Sequence, residues 1–387
     1  MGVRRQVATS GLATSTRTLI PLVLSLEYLE VLELHLRRSK QILVDPMVGC
    51  MDSSLAVVNH EACLRVAKQI KEWNVPADYE DIALDDLSCK EIGNFFLLLV
   101  SICHQTSPTG KLLLEGIVNG KYRRGWDYLA SRLEVDVRQD RLLLRPESWS
   151  QVTPKKVTEL FRDSQYGDRL VNVERRSELV RDLGKVMKEH GWNSADDIYK
   201  VAHGRVAGES PNLFELLGRF KAYSDPVRKK SSFFLSLMRN SGLWQYPDES
   251  NLGPPVDYHE VRGHLRIGTV CVASLELRNK LLHRKVVSLE EDLAVRGAVF
   301  NAIMLISRAC GPCTPSQLHY LFWNVFRSCC TREKPHCRTC PYDCDLPSQY
   351  VPLTFIDHER RCPFSFICTS SSVPVKYYDH VFETDYY

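Results

Sequence analysis

Apolar residues recur every three or four positions in the first third of the chain. The two clearest series consist of Leu22, Leu26, Leu29, Leu32 and Leu36, and of Cys63, Val66, Ala67, Ile70 and Trp73. Residues at this spacing lie on one face of an α-helix. We therefore expect amphipathic helices from Pro21 to about Lys111, each packed on its neighbours through its apolar face.

Helix signals resume in the second half of the chain. The Thr-Pro pair at 153–154 has the residues that favour an N-cap and a first helical position. The stretch 176–188 carries apolar residues at helical spacing. Ser288 and Glu291 have the spacing of a capping box, which predicts a helix that runs toward Ala309.

The stretch between these two helical regions differs from both. Asn119 and Gly120 predict a turn, and the apolar residues within 133–137 and 142–144 predict a small β element. These signals occupy a small part of the chain, and no internal repeat interrupts the helical pattern. The predicted fold class is therefore mostly α.

The two ends of the chain lack helical periodicity. Residues 1–20 contain three arginines, many serines and threonines and no acid, which is typical of a disordered tail and also of a transit peptide. Residues 346–387 are rich in Pro, Ser, Tyr and Phe, so we expect a loosely packed C-terminal extension. The helical body between them covers residues 21–345, with a cysteine loop at 329–345.

Composition limits the classes of function. The chain has 387 residues and 44% hydrophobic content, which suffices for a substantial core. Its 50 basic and 47 acidic residues give a net charge of +3, so any nucleic-acid surface must be local. No run of eighteen apolar residues occurs, which argues against a membrane span. We expect a soluble, monomeric, cytoplasmic protein, associated with the nucleoid if its source is prokaryotic.

The chain has fourteen cysteines, most of them between residues 310 and 368. Cys330, Cys337, Cys340 and Cys344 are separated by six, two and three residues. Four thiolates on one loop can bind zinc or an iron–sulfur cluster, since both accept sulfur donors. The spacing of the Cys-Gly-Pro-Cys stretch at 310–313 is that of a thioredoxin motif, but it follows a predicted helix and no strand, so we interpret it as two incidental thiols.

The cysteine loop resembles the cluster loop of endonuclease III and of the adenine-mismatch glycosylases. The resemblance rests on a first cysteine, a six-residue gap and then Cys-x-x-Cys-Pro, with Lys334-Pro335 before Cys337. It implies a 4Fe–4S cluster, with zinc as the alternative. The last gap is three residues here and five in that family, which puts the fourth ligand in doubt between Cys344, our choice, and Cys362.

A proline-rich approach, Gly253-Pro-Pro-Val, leads directly to Asp257 at the start of a predicted helix. An aspartate at this place is ordinarily an N-cap. The sequence also resembles the helix-hairpin-helix glycosylases, which have their essential aspartate after a Pro-Val-Asp type sequence. The resemblance implies that Asp257 stabilises the positive charge that develops on a sugar as its base departs.

A basic turn precedes an apolar helix upstream of that aspartate. The segment from Asp225 through Lys229 and Lys230 to Met238 resembles the hairpin region of the archaeal 8-oxoguanine glycosylases, and Lys230 best matches their catalytic lysine. A desolvated lysine can attack a sugar carbon and form a Schiff base, which would add strand cleavage to base removal. A solvated basic turn is the alternative, since the usual Gly-x-Gly is missing and Lys229 competes for the role.

Two further segments carry residues suited to nucleic-acid binding. The apolar stretch that ends in Gln105-Thr106 resembles the helix that leads to the base pocket in this superfamily, which implies that Gln105 lies beside the extruded base or the opposite strand. Arg124 and Trp126 combine a cation with an aromatic face, which suits phosphate neutralisation and base stacking. A core tryptophan next to a surface arginine is the alternative.

Along the chain, the segments with Gln105, Trp126, Lys230, Asp257 and the cysteine loop span roughly residues 80–345. Their order resembles the order of parts in a helix-hairpin-helix DNA glycosylase. We therefore expect a two-lobed helical fold and an N-glycosylase that excises a modified base from DNA. A second resemblance is to the queuosine 5′-phosphate N-glycosylases and implies a free nucleotide substrate. It is carried by Trp126, Val152-Thr153, the stretch 176–186, Asp257-Tyr258 and the Trp323 helix. A non-catalytic iron–sulfur protein that binds DNA is the third hypothesis.

Overall fold

The structure of the chain is a computed structural model. The residues that it describes are 54–76, 82, 84–107, 110–342, 344–371 and 376–387. The tail predicted over residues 1–20 and the helix predicted from Leu22 to Leu36 lie outside this set. All structural statements below concern the described residues.

The described chain is mostly helical, as its sequence predicts. The first seven α-helices are α1 (His60–Lys71), α2 (Cys89–Ser101), α3 (Gly125–Gln139), α4 (Pro146–Trp149), α5 (Pro154–Phe161), α6 (Val173–Glu189) and α7 (Ala195–Val201). The next six are α8 (Leu213–Leu217), α9 (Lys229–Asn240), α10 (Tyr258–Ile267), α11 (Leu275–Leu282), α12 (Leu289–Cys310) and α13 (Pro315–Ser328). Short 3₁₀ helices occupy Arg141–Leu144, Lys221–Tyr223, Glu249–Asn251 and Ser348–Thr354.

Three small antiparallel pairs of strands accompany the helices. Their strands are β1 (Ala56–Val58), β2 (Glu115–Val118), β3 (Lys121–Arg124), β4 (Val270–Val272), β5 (Phe355–Ile356) and β6 (Glu359–Arg360), paired as β1 with β4, β2 with β3 and β5 with β6. The turn predicted at Asn119-Gly120 is confirmed, and it joins β2 to β3. Both residues have positive φ, 49° and 73°, which Asn and Gly adopt at low cost.

The small β element predicted over 133–137 and 142–144 is wrong. Residues 133–137 lie within α3, and 142–144 form a 3₁₀ turn. The alternation of Leu133, Val135 and Val137 mimics a strand, but Leu133 and Val137 are also four residues apart, so both are buried on one helix face. Tertiary packing selected the helical period over the strand period.

The predicted helix starts are confirmed. Thr153 caps α5, with Pro154 at the first helical position. Ser288 and Glu291 form a reciprocal capping box at the start of α12. Each cap satisfies backbone N–H groups that have no partner within the helix, which fixes where the helix begins.

The α12 helix lies at the centre of the fold. It packs against α1, β1, β4, α10 and α13. In the described part of the chain it is the one helix long and apolar enough to cross a membrane by length and composition, but more than half of it is buried inside the protein. Its buried Arg296 is ion-paired with Asp292 and Asp225. These contacts are those of a core helix.

Helices α10 and α13 carry most of the candidate site, and they approach closely at Gly263. A Cβ atom added at Gly263 would lie 2.0 Å from the ring of Phe326 on α13. The absence of a side chain at residue 263 therefore brings the two helix backbones together, so that residues on both can face one cavity.

The loose packing expected of the C-terminal extension is wrong for its described part. Tyr350, Phe364 and Asp379 are buried, and Tyr387 is 3% exposed. Asp379 accepts hydrogen bonds from Arg262 on α10 and from Arg332. Aromatic and charged side chains of the extension thus fill gaps in the helical body, a role that its irregular sequence pattern does not reveal.

Candidate active site

A cavity of about 390 Å³ lies where α9, α10 and α13 meet the start of α3. It is also lined by residues 331–334 and by Tyr387 from the C-terminal extension. Pockets of this size hold small ligands, because they can enclose most of the surface of a molecule such as a nucleotide. Of the ten residues predicted from sequence to act in the site or in a cluster, this cavity brings together Asp257, Lys229, Trp126 and Arg124.

Asp257 is the N-cap of α10 and also lines the cavity. Its Oδ1 accepts hydrogen bonds from the backbone N–H of His259 at 2.7 Å and of Glu260 at 3.3 Å. Its Oδ2 accepts a hydrogen bond from Trp323 Nε1 at 3.1 Å. The cap and the aspartate that lines the cavity are therefore the same residue, and the indole fixes the oxygen that the helix leaves unbound.

The charge of Asp257 is held in a low-dielectric environment. Burial, and next the neighbouring Glu260, raise its pKa to about 6, although Lys229 and His319 lower it. A carboxylate that is ionised at neutral pH but poorly solvated interacts strongly with a positive charge that develops beside it. An environment of this kind suits the stabilisation of a cation that forms beside the carboxylate.

Glu260 and His319 form a second buried pair at the cavity. Glu260 Oε1 is 2.9 Å from His319 Nδ1, and Glu260 Oε2 accepts the backbone N–H of Asp257 at 3.1 Å. Glu260 is fully buried, and its burial raises the pKa of its carboxyl well above the usual range. His319 lines the cavity from α13. The two side chains therefore form a buried hydrogen-bonded pair next to Asp257.

The two candidate lysines lie on different sides of α9. Lys229 lines the cavity, donates to Cys103 Sγ at 3.3 Å and lies 5.1 Å from the centre of the Phe233 ring. Lys230 is fully buried and does not line the cavity. Its Nζ donates to the Ser101 carbonyl at 2.5 Å, and burial lowers its pKa to about 7.

Aromatic rings form the walls of the cavity. Trp126 and Phe233 meet edge to face, with ring centres 4.7 Å apart. Tyr258 and Trp323 add two further rings to the lining. Flat apolar surfaces of this kind are suited to a planar heterocycle, which stacks on them with little loss of conformational entropy.

Arginines line the cavity, and each is anchored by a carboxylate. Arg124 pairs with Asp345, and Arg327 donates to Asp127 at 3.0 Å while lying 4.3 Å from the centre of the Trp323 ring. Arg332 pairs with Asp379 and donates to the Ser107 carbonyl at 2.9 Å. These contacts fix the guanidinium groups in position, so an anionic ligand would meet cations that are already ordered.

Gln105 lies outside the cavity lining. Its Nε2 donates to the Phe382 carbonyl at 3.4 Å, and its backbone N–H donates to the Tyr387 carbonyl. Its φ of 48° is in the left-handed region. The residue therefore links the end of α2 to the C-terminal extension, while Thr106 and Ser107 beside it line the cavity.

The basic turn before α9 is closed by Asp225. This carboxylate accepts the backbone N–H of Val227 at 3.1 Å and of Lys229 at 2.9 Å. It is also held by Arg296 from α12, through contacts of 2.8 and 2.9 Å. The two turn N–H groups are thus already engaged inside the protein.

The cysteines from 329 to 368 come together from three segments. Cys329 Sγ is 3.9 Å from Cys340 Sγ, which is 3.5 Å from Cys344 Sγ. Cys330 Sγ instead receives a hydrogen bond from Arg266 at 3.3 Å. Within the described ranges, no three His, Cys, Asp or Glu side chains are arranged to hold a metal ion. Of the predicted set Cys330, Cys337, Cys340 and Cys344, the structure brings Cys340 and Cys344 together, and Cys329 rather than Cys330 lies beside Cys340.

The donor chemistry of this segment nevertheless suits a thiophilic metal. In a tetrahedral zinc site with Zn–S bonds of about 2.3 Å, sulfur atoms are about 3.8 Å apart. The two sulfur–sulfur distances above are close to that value. Cys330 and Cys368 both contact Arg266, the first through its guanidinium and the second through its carbonyl.

Sequence reasoning missed His319, Glu260 and Tyr387 as site residues, and it named Trp323 only as part of a resemblance. One signal was present: residues 319 and 323 are four apart, so they share a face of α13. Glu260 is the third residue after its cap and reads as an ordinary capping-box partner. No local pattern marks Tyr387.

Comparison of the sequence with models of protein families gives no match, and comparison with curated proteins gives none.

Proposed function

We propose that the protein is an N-glycosidase that hydrolyses the bond between a modified nucleobase and its sugar. The observation that carries this proposal is Asp257: a buried carboxylate, fixed by two backbone N–H groups and an indole N–H, that faces a cavity walled by aromatic rings. The rings suit a planar base, and the carboxylate suits the cationic sugar that forms when the base leaves.

The proposed reaction needs few chemical groups. As the C1′–N bond breaks, its electron pair leaves with the base and positive charge spreads over C1′ and the ring oxygen. The Asp257 carboxylate lowers the energy of that charge and accepts a proton from the water that attacks C1′. Its hydrogen bonds hold it in place before the substrate binds, so little reorganisation is required during the reaction.

A free nucleotide is the substrate that we favour. Free backbone N–H groups at the start of a helix can bind a phosphate such as that of DNA, but the N–H groups of Val227 and Lys229 in the turn before α9 are bonded to Asp225. The cavity arginines could instead hold the phosphate of a single nucleotide. We accordingly place the activity in modified-nucleotide salvage in the cytoplasm, as the resemblance to the queuosine 5′-phosphate N-glycosylases implies.

Base excision from DNA is the second candidate function. The arginines around the cavity and the aromatic walls also suit a flipped-out nucleotide. A lyase step on DNA would require a lysine at the sugar, and Lys229 rather than Lys230 lines the cavity. Borohydride trapping on DNA tests this candidate, since it captures a Schiff base. An adduct lost in Lys229→Gln but kept in Lys230→Gln would support it with Lys229 as the nucleophile.

A screen of released bases tests the reaction itself. The purified protein would be incubated with queuosine 5′-phosphate, with a set of modified nucleotides and with DNA that carries modified bases, and free bases would be measured by mass spectrometry. We expect release from a nucleotide, and Asp257→Asn should reduce it by about 100-fold or more. Asp140→Asn is the matched control, because this exposed aspartate also accepts a helix N–H, from Leu142 at 2.9 Å. Full activity in Asp257→Asn would overturn the proposal, and so would no release from any substrate. Binding of DNA without base release would support the non-catalytic alternative.

We also propose that the cysteine segment binds a metal with a structural role, either a 4Fe–4S cluster or zinc. Cys330 is directly followed by residues 331–334, which line the cavity, and its carbonyl accepts hydrogen bonds from Arg262 and Arg266 on α10. A bound metal would hold this wall against the helix that carries Asp257. Its thiolate ligands would be supplied by the cysteines of 329–344, with Cys362 in reserve.

Metal analysis and absorption spectra of anaerobically purified protein test this second part. Iron with broad visible absorption indicates a cluster, and one zinc without colour indicates the alternative. Cys337→Ser should reduce solubility or ligand binding more than the rate of bond cleavage. The exposed Cys89→Ser is the control. Purified protein with neither metal would contradict the proposal.

A further inference from the structure

A hydrogen-bonded pair beside the cavity, His319 and Glu260, has no part in the stabilisation of charge proposed for Asp257. His319 and Glu260 contact each other through Nδ1 and Oε1 at 2.9 Å, on two different helices. Glu260 is fully buried, and His319 is 5% exposed and lines the cavity. A buried carboxyl group at this distance from an imidazole forms a hydrogen bond with it, and burial disfavours the ionised form of the carboxyl.

The position of the pair relative to Asp257 is fixed by the backbone. The second oxygen of Glu260 accepts the Asp257 N–H at 3.1 Å, so the two carboxyl groups are tied to the same helix turn. His319 and Trp323 are one turn apart on α13, and Trp323 donates to Asp257. The helices therefore present a carboxylate and an imidazole to the same ligand, at adjacent points of one wall.

We propose that His319 is the general acid that protonates the departing base, and that Glu260 supplies and orients it. This inference rests on the proposed function and names the group that activates the leaving group. His319 Nε2 is on the side of the ring opposite Glu260. In the step, the Nε2 proton passes to a nitrogen or oxygen atom of the base as the C1′–N bond breaks, and Nδ1 takes the proton of Glu260.

The protons balance across the reaction. The base gains one proton through His319, and Glu260 is left as a carboxylate beside a neutral imidazole. The attacking water gives one proton to Asp257 as its oxygen bonds to C1′. Return of that proton to the Glu260–His319 pair through solvent restores the starting state. Asp257 thus stabilises the sugar, and His319 acts on the base.

Two probes that differ in their need for a proton test this assignment. Queuosine 5′-phosphate has a base that leaves poorly as an anion, whereas 4-nitrophenyl β-D-ribofuranoside 5-phosphate releases a phenolate that is stable without protonation. For His319→Gln we expect a loss of about 100-fold in kcat/KM on the first probe and less than about threefold on the second. Glu260→Gln should show the same preference with a smaller loss, about tenfold.

Controls separate this inference from the proposed function. Asp257→Asn should lose activity on both probes, because both pass through a cationic sugar, and the exposed His283→Gln should lose it on neither. Equal losses on both probes in His319→Gln would assign His319 a structural role and overturn the inference, as would full activity on queuosine 5′-phosphate. Wild-type protein that releases no base from any nucleotide and cleaves neither probe would overturn both the proposed function and the inference.

Discussion

Two buried aspartates at the start of neighbouring helices show how one local motif serves two purposes. Asp225 accepts N–H groups of the turn before α9, and Asp257 accepts N–H groups of the first turn of α10. Asp225 also accepts hydrogen bonds on both of its carboxylate oxygens from the guanidinium of Arg296. Asp257 has no arginine ion pair among the described residues, and it faces a cavity instead.

The difference lies in what neutralises each charge. The Asp225 carboxylate contacts a buried cation, Arg296, through both of its oxygens. The charge of Asp257 is only partly offset, by Lys229 and His319, so burial keeps its pKa near 6. A partly compensated carboxylate is costly for folding but can stabilise a cation that a reaction creates. At these two aspartates, the carboxylate held by a buried arginine serves structure, and the partly compensated carboxylate beside the cavity can serve chemistry.

The largest expected effect is on the free energy of unfolding when Asp225 loses its arginine partner. Arg296→Met removes the cation shared by Asp225 and Asp292 and leaves both buried carboxylates without their arginine partner, so we expect a loss of about 3–5 kcal/mol in the free energy of unfolding. Urea denaturation measures it. Arg65→Met is the control, because its pair with Glu61 is exposed and should contribute less than about 1 kcal/mol. A change at Arg296 no larger than that at Arg65 would remove the basis for the comparison.

The second expected effect is a dependence of activity on pH through the ionisation of Asp257. Its carboxyl must be ionised to stabilise a cation, so kcat/KM should rise with pH through about 6 and fall about tenfold per pH unit below it. The stability effect has the opposite sign. The pKa of Asp257 is higher in the folded than in the unfolded chain. The contribution of its carboxyl to the free energy of unfolding is therefore greatest at low pH and is lost as pH rises through about 6. Asp257→Asn should therefore be at least as stable as wild type at pH 7. An activity profile flat from pH 4 to 7 would contradict this prediction.

The third effect separates the adjacent lysines. Lys229→Gln removes a cation that lines the cavity near Asp257, and we expect about a tenfold loss in kcat/KM with little change in stability. Lys230→Gln should instead lower stability by about 1–3 kcal/mol, because its amine serves the buried Ser101 carbonyl. Steady-state kinetics and thermal denaturation of both variants measure these effects. A loss of activity in Lys230→Gln together with a loss of stability in Lys229→Gln would instead favour Lys230 as the functional lysine.

The smallest effect concerns the indole that holds Asp257. Trp323→Phe keeps an aromatic wall but removes the donor to Oδ2, 3.1 Å away. We expect a loss of about fivefold in kcat, which corresponds to about 1 kcal/mol for one hydrogen bond. Binding of the substrate should change less than kcat. An unchanged kcat would mean that the helix N–H groups alone position the carboxylate.

The sequence by itself determined the helical class and several helix starts. Thr153, Ser288 and Asp257 were identified as caps because a cap depends on residues three or four positions apart. Local spacing also predicted the turn at Asn119-Gly120, since few residues adopt positive φ at low cost. It could not choose between helix and strand for 133–137, where both periods fit.

Only the tertiary structure decided which side chains share the cavity. Lys229 and Lys230 are adjacent in sequence, and the packing of α9 alone turns one toward the cavity and the other into the core. The contact between Glu260 and His319 joins residues 59 positions apart, and Tyr387 reaches the same cavity from the C-terminal extension. These neighbours are set by helices that meet across the core, through contacts such as that of Gly263 with Phe326, and no local pattern encodes them.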